Sequence, residues 1–487
     1  MDLARISRGK AALLSAGLLL LLLLRYFQTY FQYDFPLGYD AGIYRYLFLK
    51  HGAAFPPFVL GDVAPWARGH PLGLFFFTTI LMKLGVPADW LVGWIWNLVP
   101  VVLVCLLAVA AGRSPVFAGA GAARWLVGCA TLLMGLLSAA LFDGFFAMYW
   151  KTFAALLWMT LTFLLLDLKS PWAALPAFLT LVTHHQTGLL LALTLGLLWL
   201  VHIRRDFRSS RWLVATAVGA LVCVFAAFLY LPVWEEAIGI HLDRLFRRGA
   251  DVPAGSFPEA MHYVRISGIL LAAGAFGFAH SLQRSFTEHR RSLTHWHLAV
   301  LVALAFVVFR LYFYRRFFLH LDFFFLPFAA YACVVLFRRL KAAPVRIALA
   351  ALIAVQTFLS FESAQARVPK MDADTFAIVT QAAQVIPAGA QVLVLESESP
   401  PWFLGWMPDH DVGGPGLFGS PSWDLSQWET FLYGTNGERR PFLEGREYYL
   451  IATPLFHRYY GEQARAFLAD PCIEPVAAPI YYRSACL

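Results

Sequence analysis

Pro71-Leu72-Gly73-Leu74-Phe75-Phe76-Phe77-Thr78-Thr79-Ile80-Leu81-Met82-Lys83-Leu84 is the stretch whose placement decides how this chain is threaded. It is apolar but only about 14 residues long, and a bilayer crossing takes about 17 to 25 mostly apolar residues. A first helix runs over 11–24. Later candidates for crossing are 90–112, 124–141, 145–168, 171–184, 188–203, 211–232, 263–280, 296–312, 317–337 and 343–360. Charge settles the short stretch. If 71–84 does not cross and the N-terminus is cytoplasmic, the basic clusters all fall inside. They are Arg113 with Arg124, Lys169, the Arg204–Arg211 group, the Arg284–Arg291 group, and Arg338-Arg339 with Lys341. If 71–84 crossed, every cluster would move outside, against the retention of Lys and Arg on the cytoplasmic side. The stretch is therefore expected to lie along the outer membrane surface.

The same rule makes 171–203 a hairpin of two short helices, because Lys169 and Arg204 both belong inside. Its outer tip is Thr183-His184-His185-Gln186-Thr187-Gly188. About eleven crossings result, and the tail from about Glu362 emerges outside. The expected fold class is an all-α polytopic membrane domain over 1–361 with a first outer loop at about 28–89. A small soluble α/β domain follows over 362–487. In that tail 372–385 reads as a helix, Pro387-Ala388-Gly389 as a turn, 391–395 and 447–452 as strands, and 460–468 as a helix.

Composition agrees: 60% of the residues are hydrophobic and 14% charged, with 43 Phe, 19 Tyr and 16 Trp. The net charge of +8 does not indicate nucleic-acid binding, since the arginines sit in short clusters between spanning segments. The apolar N-terminal run is followed by Arg25-Tyr26-Phe27-Gln28 and not by a small-residue cleavage site. It is read as an uncleaved helix in a cell (inner) membrane. No metal-ligand spacing such as CxxC occurs. Cys472 and Cys486 share the outer tail, where they are either bridged or a buried thiol and a terminal one.

Ionisable side chains at mid-bilayer are costly, so their positions carry information. Here Asn97, Lys151, His184, His185, Arg265, Arg310, Arg315, Arg316, His320 and Asp322 gather toward the outer ends of the spans. Transporters concentrate charge near the midplane between repeats; this pattern points to a polar cavity open outward. The outer loops meet the same region. The first carries Asp34 and Asp40, and the second is a few residues around Asp143-Gly144. A longer one at 233–262 is rich in charge, Gly and Pro.

With these features the chain resembles the GT-C glycosyltransferases, polytopic enzymes that use polyprenyl-phosphate-linked sugars. Gly38-Tyr39-Asp40-Ala41-Gly42-Ile43-Tyr44 resembles the acidic first-loop motif. His70-Pro71-Leu72-Gly73-Leu74 resembles the opening of the family's surface helix, and Asp143 occupies the place of a second-loop acid. Arg316-Phe317 with Pro327 resembles a late helix of the family. The acid pair seen in many members is Asp40-Ala41 here, and neither a DxD nor a WWDYG-like motif is present.

The resemblance implies an inverting transfer of a sugar (hexosyl or pentosyl) from a polyprenyl-phosphate donor to an acceptor hydroxyl on a lipid, glycan or protein. A lipid phosphate leaves as an anion without a general acid. Such a site needs cations for that anion and one carboxylate base for the hydroxyl. Asp40 is the first candidate base and Asp34 the second. Asp40 is equally explained as a helix N-cap for 41–49. Arg315 and Arg316 read as phosphate ligands or as interfacial anchors. His70, Lys151, His184 and His185 are candidate substrate contacts, with tip histidines and a snorkelling lysine as the plainer reading. Asp143 with Asp40 could hold a divalent metal, Mg or Mn, or be an ordinary loop acid. A transporter or lipid flippase, or a non-catalytic scaffold whose tail binds a partner, remain the alternative classes.

Overall fold

The computed structural model describes residues 8–33, 36–53, 63, 67–117, 124–206, 210–231, 234–239, 242–243, 254–287, 293–340, 342–369, 371–415, 421 and 423–486. Asp34 and all of 244–253 lie outside the described residues. The chain divides into two compact units. The first comprises Met1–Gln32, Gly69–Leu74 and Ile95–Arg367; the second comprises Tyr33–Arg68, Phe75–Trp94 and Val368–Leu487.

The first unit is helical. Its helices are α1 (Arg8–Gln32), the inner part of α4 (Ala88–Arg113), α5 (Arg124–Leu137), α6 (Ala139–Phe146) and α7 (Trp150–Asp167). They continue as α8 (Ala174–Thr183), α9 (His185–Asp206), α10 (Ser210–Tyr230), α11 (Ala260–Thr287), α12 (His295–Val308), α13 (Tyr314–Arg339) and α14 (Ala343–Gln365). Among the described residues, five helices are long and apolar enough to cross a bilayer by themselves, or six if α5 and α6 make one span; others are shorter apolar helices. Every apolar run expected to cross contains a helix, and His184 is the non-helical joint of the α8–α9 hairpin.

The hub is α13, buried almost throughout from Phe317 to Val335. Its close approach to α11 depends on Gly277, where a Cβ would stand 2.0 Å from the Phe328 carbonyl oxygen. A membrane offers no hydrophobic drive between helices, so small residues that permit such contact set the interface.

One expectation is corrected here. Asp143 is not in a loop: it lies within α6, buried, and α6 turns 57° from α5. The break is chemically supported. The Ser138 hydroxyl caps α6 by accepting from Leu141 N at 3.0 Å and donates to Asp322 Oδ2 at 2.5 Å. The carbonyls freed at the end of α5 are met by Arg25, on Leu136 O, and by Ser360 Oγ, 2.7 Å from Leu137 O. Backbone groups at membrane depth must be paired within the protein, and here side chains from α1 and α14 do it.

In the second unit α2 (Ala41–Ala53), α3 (Gly73–Lys83, from Phe75 onward) and the C-terminal elements belong together. The last are α15 (Ala373–Val385), β1 (Gln391–Val394), α16 (Pro400–Trp406), β2 (Asp411–Gly413), α17 (Leu425–Tyr433), α18 (Asn436–Leu443) and β3 (Tyr448–Ile451). Then come α19 (Pro454–Tyr460), α20 (Glu462–Leu468), β4 (Ile473–Ala477) and β5 (Tyr481–Ser484). The sheet order is β2-β1-β3-β5-β4, parallel across the first three strands and antiparallel beyond.

The expected helix over 460–468 is present as α20 from Glu462, and Gly461, with a positive φ of 51°, separates it from α19 just before it. Leu393, Leu395, Trp428, Phe431, Leu450 and Phe467 form the core. Within it Arg439 pairs with Asp470 at 2.8 Å and donates to the Phe431 carbonyl, so the buried charge is satisfied. Cys472 and Cys486 are bridged, with their Cα atoms 4.9 Å apart.

Candidate active site

The polar residues of the first unit are not scattered; they converge where α7, α9 and α13 begin. The first turn of α7 is fixed by a tight chain: Trp150 Nε1 donates to Asn97 Oδ1 at 2.9 Å, and Asn97 Nδ2 donates to the Tyr30 hydroxyl at 2.5 Å. That anchor presents Tyr149, Lys151 and Thr152. Lys151 Nζ lies 2.5 Å from His70 Nδ1, which joins two residues 81 apart in sequence.

The hairpin joint supplies the next part. His184 Nε2 is 3.4 Å from Thr152 Oγ1, and His184 Nδ1 is 2.9 Å from Thr187 Oγ1. Thr187 Oγ1 in turn lies 2.8 Å from His320 Nε2. The His184 and His320 rings are nearly parallel, 6.4 Å apart. His320 Nδ1 lies 3.3 Å from the Arg316 carbonyl oxygen, which ties this group to the start of α13.

The start of α13 is reached through a strained turn. Arg310 and Phe313 both adopt left-handed backbone, with φ of 47° and 52°, which costs on the order of 1–3 kcal/mol per residue. The turn delivers Arg315 and Arg316 side by side. Arg315 Nη2 pairs with Glu259 at 2.6 Å. Arg316 Nη2 donates to Ser256 Oγ at 3.1 Å, the Tyr149 hydroxyl lies 2.7 Å from the same oxygen, and the guanidinium sits 5.4 Å from the Tyr149 ring centroid. Gly255, with φ of +90°, lets the backbone pass close to the Arg316 stem. Arg316 has no carboxylate partner among the described residues, and the buried Nε atoms of both arginines have no hydrogen-bond partner there. A cation with spare donors beside hydroxyls and imidazoles is suited to an oxyanion.

Asp143 stands on the far side of an aromatic bridge: Tyr149 packs on Phe257, and Phe257 stacks on Tyr263. The Tyr263 hydroxyl donates to Asp143 Oδ2 at 2.7 Å, while Arg367 Nη2 meets Oδ1 at 2.7 Å. A divalent ion at Asp143 does not fit this arrangement. Both oxygens are engaged, one by a guanidinium, and no group of three His, Cys, Asp or Glu among the described residues is placed to hold a metal.

His185 faces elsewhere, with its ring 5.6 Å from that of Tyr230, and it lines an apolar cavity of about 300 Å³ with Leu189, Trp234 and Tyr312. Asp40 belongs to the second unit, half-buried where α2 begins, and its carbonyl accepts from Tyr44 N at 2.9 Å. The structure thus pairs His70 with Lys151, ties His184 to Thr152 and through Thr187 to His320, places Arg315 and Arg316 at the start of the same helix as His320, links Asp143 through aromatic rings, and puts His185 on an apolar cavity.

Several members of the network are uncharged and carry no sequence signal: Tyr149, Thr187, Ser256 and Tyr263. Arg367 sits at the junction with the tail and had the charge to attract notice. Asp322, fully buried, was visible as an acid inside an apolar run.

An apolar helical bundle with a broken helix and cationic helix ends, together with a C-terminal mixed sheet, is the architecture of a multi-pass membrane protein. No family model matches the chain, and no curated protein matches it in sequence. Among solved structures, ArnT from Cupriavidus metallidurans in the apo state has a TM-score of 0.59, with 12% identity and 98% of each chain covered. The oligosaccharyltransferase of Archaeoglobus fulgidus in complex with Zn and sulfate also has a TM-score of 0.59 at 12% identity, covering 96% of this chain and 72% of that one. AglB of the same organism, in complex with an inhibitory peptide and a dolichol-phosphate, has a TM-score of 0.50 at 10% identity, covering 93% and 70%.

Proposed function

We propose that the protein is an inverting membrane glycosyltransferase that moves a sugar from a polyprenyl-phosphate donor to an acceptor hydroxyl on the outer face of the membrane. The observation that carries this reading is Arg316: a cation without a carboxylate partner among the described residues, flanked by Ser256 and Tyr149, with His320 of the His184–Thr187–His320 chain one turn along the same helix. That set of donors matches a phosphate monoester or diester headgroup, and the surrounding apolar helices match its lipid chain. A protein of the same fold binds dolichol-phosphate, which supports the donor class.

In the proposed reaction the acceptor oxygen attacks the anomeric carbon from the face opposite the phosphate. The carbon–oxygen bond to phosphate breaks, its electron pair leaves with the polyprenyl phosphate, and the acceptor proton passes to a carboxylate. We assign that base to Asp40, with Asp34 as the second candidate. Arg316, Lys151 and the histidines stabilise the departing anion by preorganised charge. Arg315 is shared with Glu259 and contributes less. The chain threads the membrane about eleven times in this reading, with residues 362–487 on the outer side of a cell membrane. The acceptor is a lipid, glycan or protein hydroxyl.

Binding is the test. Full-length protein in nanodiscs titrated with a polyprenyl-phosphate sugar should bind it, and Arg316→Ala should weaken binding by about tenfold or more, the loss of one charge-assisted contact. Equal affinity in wild type and Arg316→Ala would remove the phosphate site from this location.

A further inference from the structure

In the second unit the strands β2, β1 and β3 run parallel, and β1 is the central one. The chain leaves β1 through α16 toward β2 on one side. It leaves β3 through α19 and α20 toward the antiparallel pair on the other. The carboxyl ends of β1 and β3 therefore flank a topological switch point, the crevice in which open α/β sheets receive their ligands. Here the crevice is built tightly. Glu396 follows β1, is fully buried, and accepts from Glu398 N at 2.5 Å, Ser399 N at 3.2 Å and Thr453 Oγ1, beyond β3, at 3.3 Å. The Ser399 hydroxyl donates to it as well. The carboxylate thus staples the loop after β1 to the loop after β3.

The loop so held grips the chain's own first-loop segment. The Tyr39 hydroxyl donates to the Ser397 carbonyl at 3.2 Å. One residue further on is Asp40, and then α2 lies flat on α16. A Cβ on Gly42 would stand 1.8 Å from the Pro401 carbonyl oxygen, and one on Gly405 would stand 2.5 Å from the Gly42 Cα. Arg45 closes the contact, donating from Nη1 to the Gly405 carbonyl at 2.6 Å and from Nε to Asp89 at 2.7 Å, its guanidinium 5.0 Å from the Trp406 ring centroid. Backbone touches backbone at two glycines, and hydrogen bonds fix the register on either side of Asp40.

We infer that the switch-point crevice of the C-terminal sheet is not a ligand site but the seat of the Asp40 segment, which makes Tyr39, Gly405 and Glu396 positioning residues for Asp40. The positioning half of the inference rests on Asp40 being the base; the seat itself does not. A base must be held within about 1 Å of its working geometry, and losing that costs on the order of 10²-fold in rate.

Hydrogen–deuterium exchange and transfer kinetics on full-length protein in nanodiscs test both halves. In Gly405→Ala the peptide covering 41–53 should exchange about tenfold faster, while peptides covering 425–484 keep their protection. The kcat should fall by about 10²-fold with the donor KM unchanged. Tyr39→Phe, which removes one hydrogen bond and no volume, should show the same pattern at smaller amplitude and shift the acidic limb of the kcat–pH profile. If Gly405→Ala also deprotects 425–484, Tyr39→Phe decides. Unchanged exchange over 41–53 in Tyr39→Phe overturns the seat, and faster exchange with wild-type kcat overturns positioning. A wild-type rate for Asp40→Asn, by contrast, overturns the base assignment and leaves the seat standing.

Discussion

Arg367 Nη2 lies 2.7 Å from Asp143 Oδ1, and the carboxylate it meets is buried. The guanidinium supplies the positive charge that a divalent ion would otherwise bring to this acid. Mn²⁺ titrated into the protein and followed by EPR should therefore bind to the same extent in wild type and in Asp143→Asn. A wild-type Mn²⁺ site that vanishes in Asp143→Asn would show that the acid is a ligand after all. Arg367→Ala should lower stability by about 1–3 kcal/mol, because it leaves a buried carboxylate short of a donor. Arg367→Lys should recover part of that.

Asp40→Asn is the sharpest test of the transfer chemistry. The amide is isosteric and still able to cap a helix, so fold and donor binding should persist. Turnover should drop by about 10²-fold or more, the scale for losing a general base. Asp34→Asn should cost less. Near-normal transfer by folded, donor-binding Asp40→Asn would move attention to Asp34.

The C-terminal sheet region should loosen from one place in acid. Asp424 closes a capping box at α17, and its carboxyl is held below the ordinary range by the Gln427 backbone N–H and then the Ser426 hydroxyl. Glu438 does the same at α18 through the Thr435 backbone N–H and then its hydroxyl. A depressed carboxylate stabilises the folded state at pH above its unfolded value, and that contribution is lost as pH falls through the depressed one. Exchange over 424–443 should thus rise with acid before that over 391–394. Asp424→Asn should flatten the effect; identical pH dependence in the variant would count against it.

The Cys472–Cys486 bridge closes a short loop around the β4–β5 hairpin. Denatured, unreduced protein should show four reactive thiols, those of Cys105, Cys129, Cys223 and Cys333. A loop of about 15 residues is worth about 3 kcal/mol in the chain-entropy account. Cys486→Ser should lower the melting temperature of the C-terminal region accordingly, and six reactive thiols in wild type would exclude the bridge.

Much of the helical unit was legible because apolar runs of that length pair their backbone groups within the segment and so form helices. Lys151, His184 and Arg316 stood out for the complementary reason: a polar or charged group beside such a run requires a partner. The α5–α6 break was not. Ser138 sits in an unbroken apolar stretch, and what makes the break tolerable comes from Arg25 and Ser360, 111 and 223 residues from the carbonyls they meet. The seat of the Asp40 segment was hidden likewise. Gly42 and Gly405 look like ordinary glycines until the two backbones are seen to touch.

The second unit is stitched from three stretches, with the membrane helices from Ile95 to Arg367 inserted between its second and third. A ribosome adding roughly 5–20 residues per second takes roughly 15–55 seconds to cross that insertion. During that interval the Gly42 face of α2 already exists and the helix that covers it has not been made. The growing chain therefore carries an uncovered, self-adhesive surface through most of its own synthesis. Completing the unit is a late event, because residues 368–487 are the last to be made.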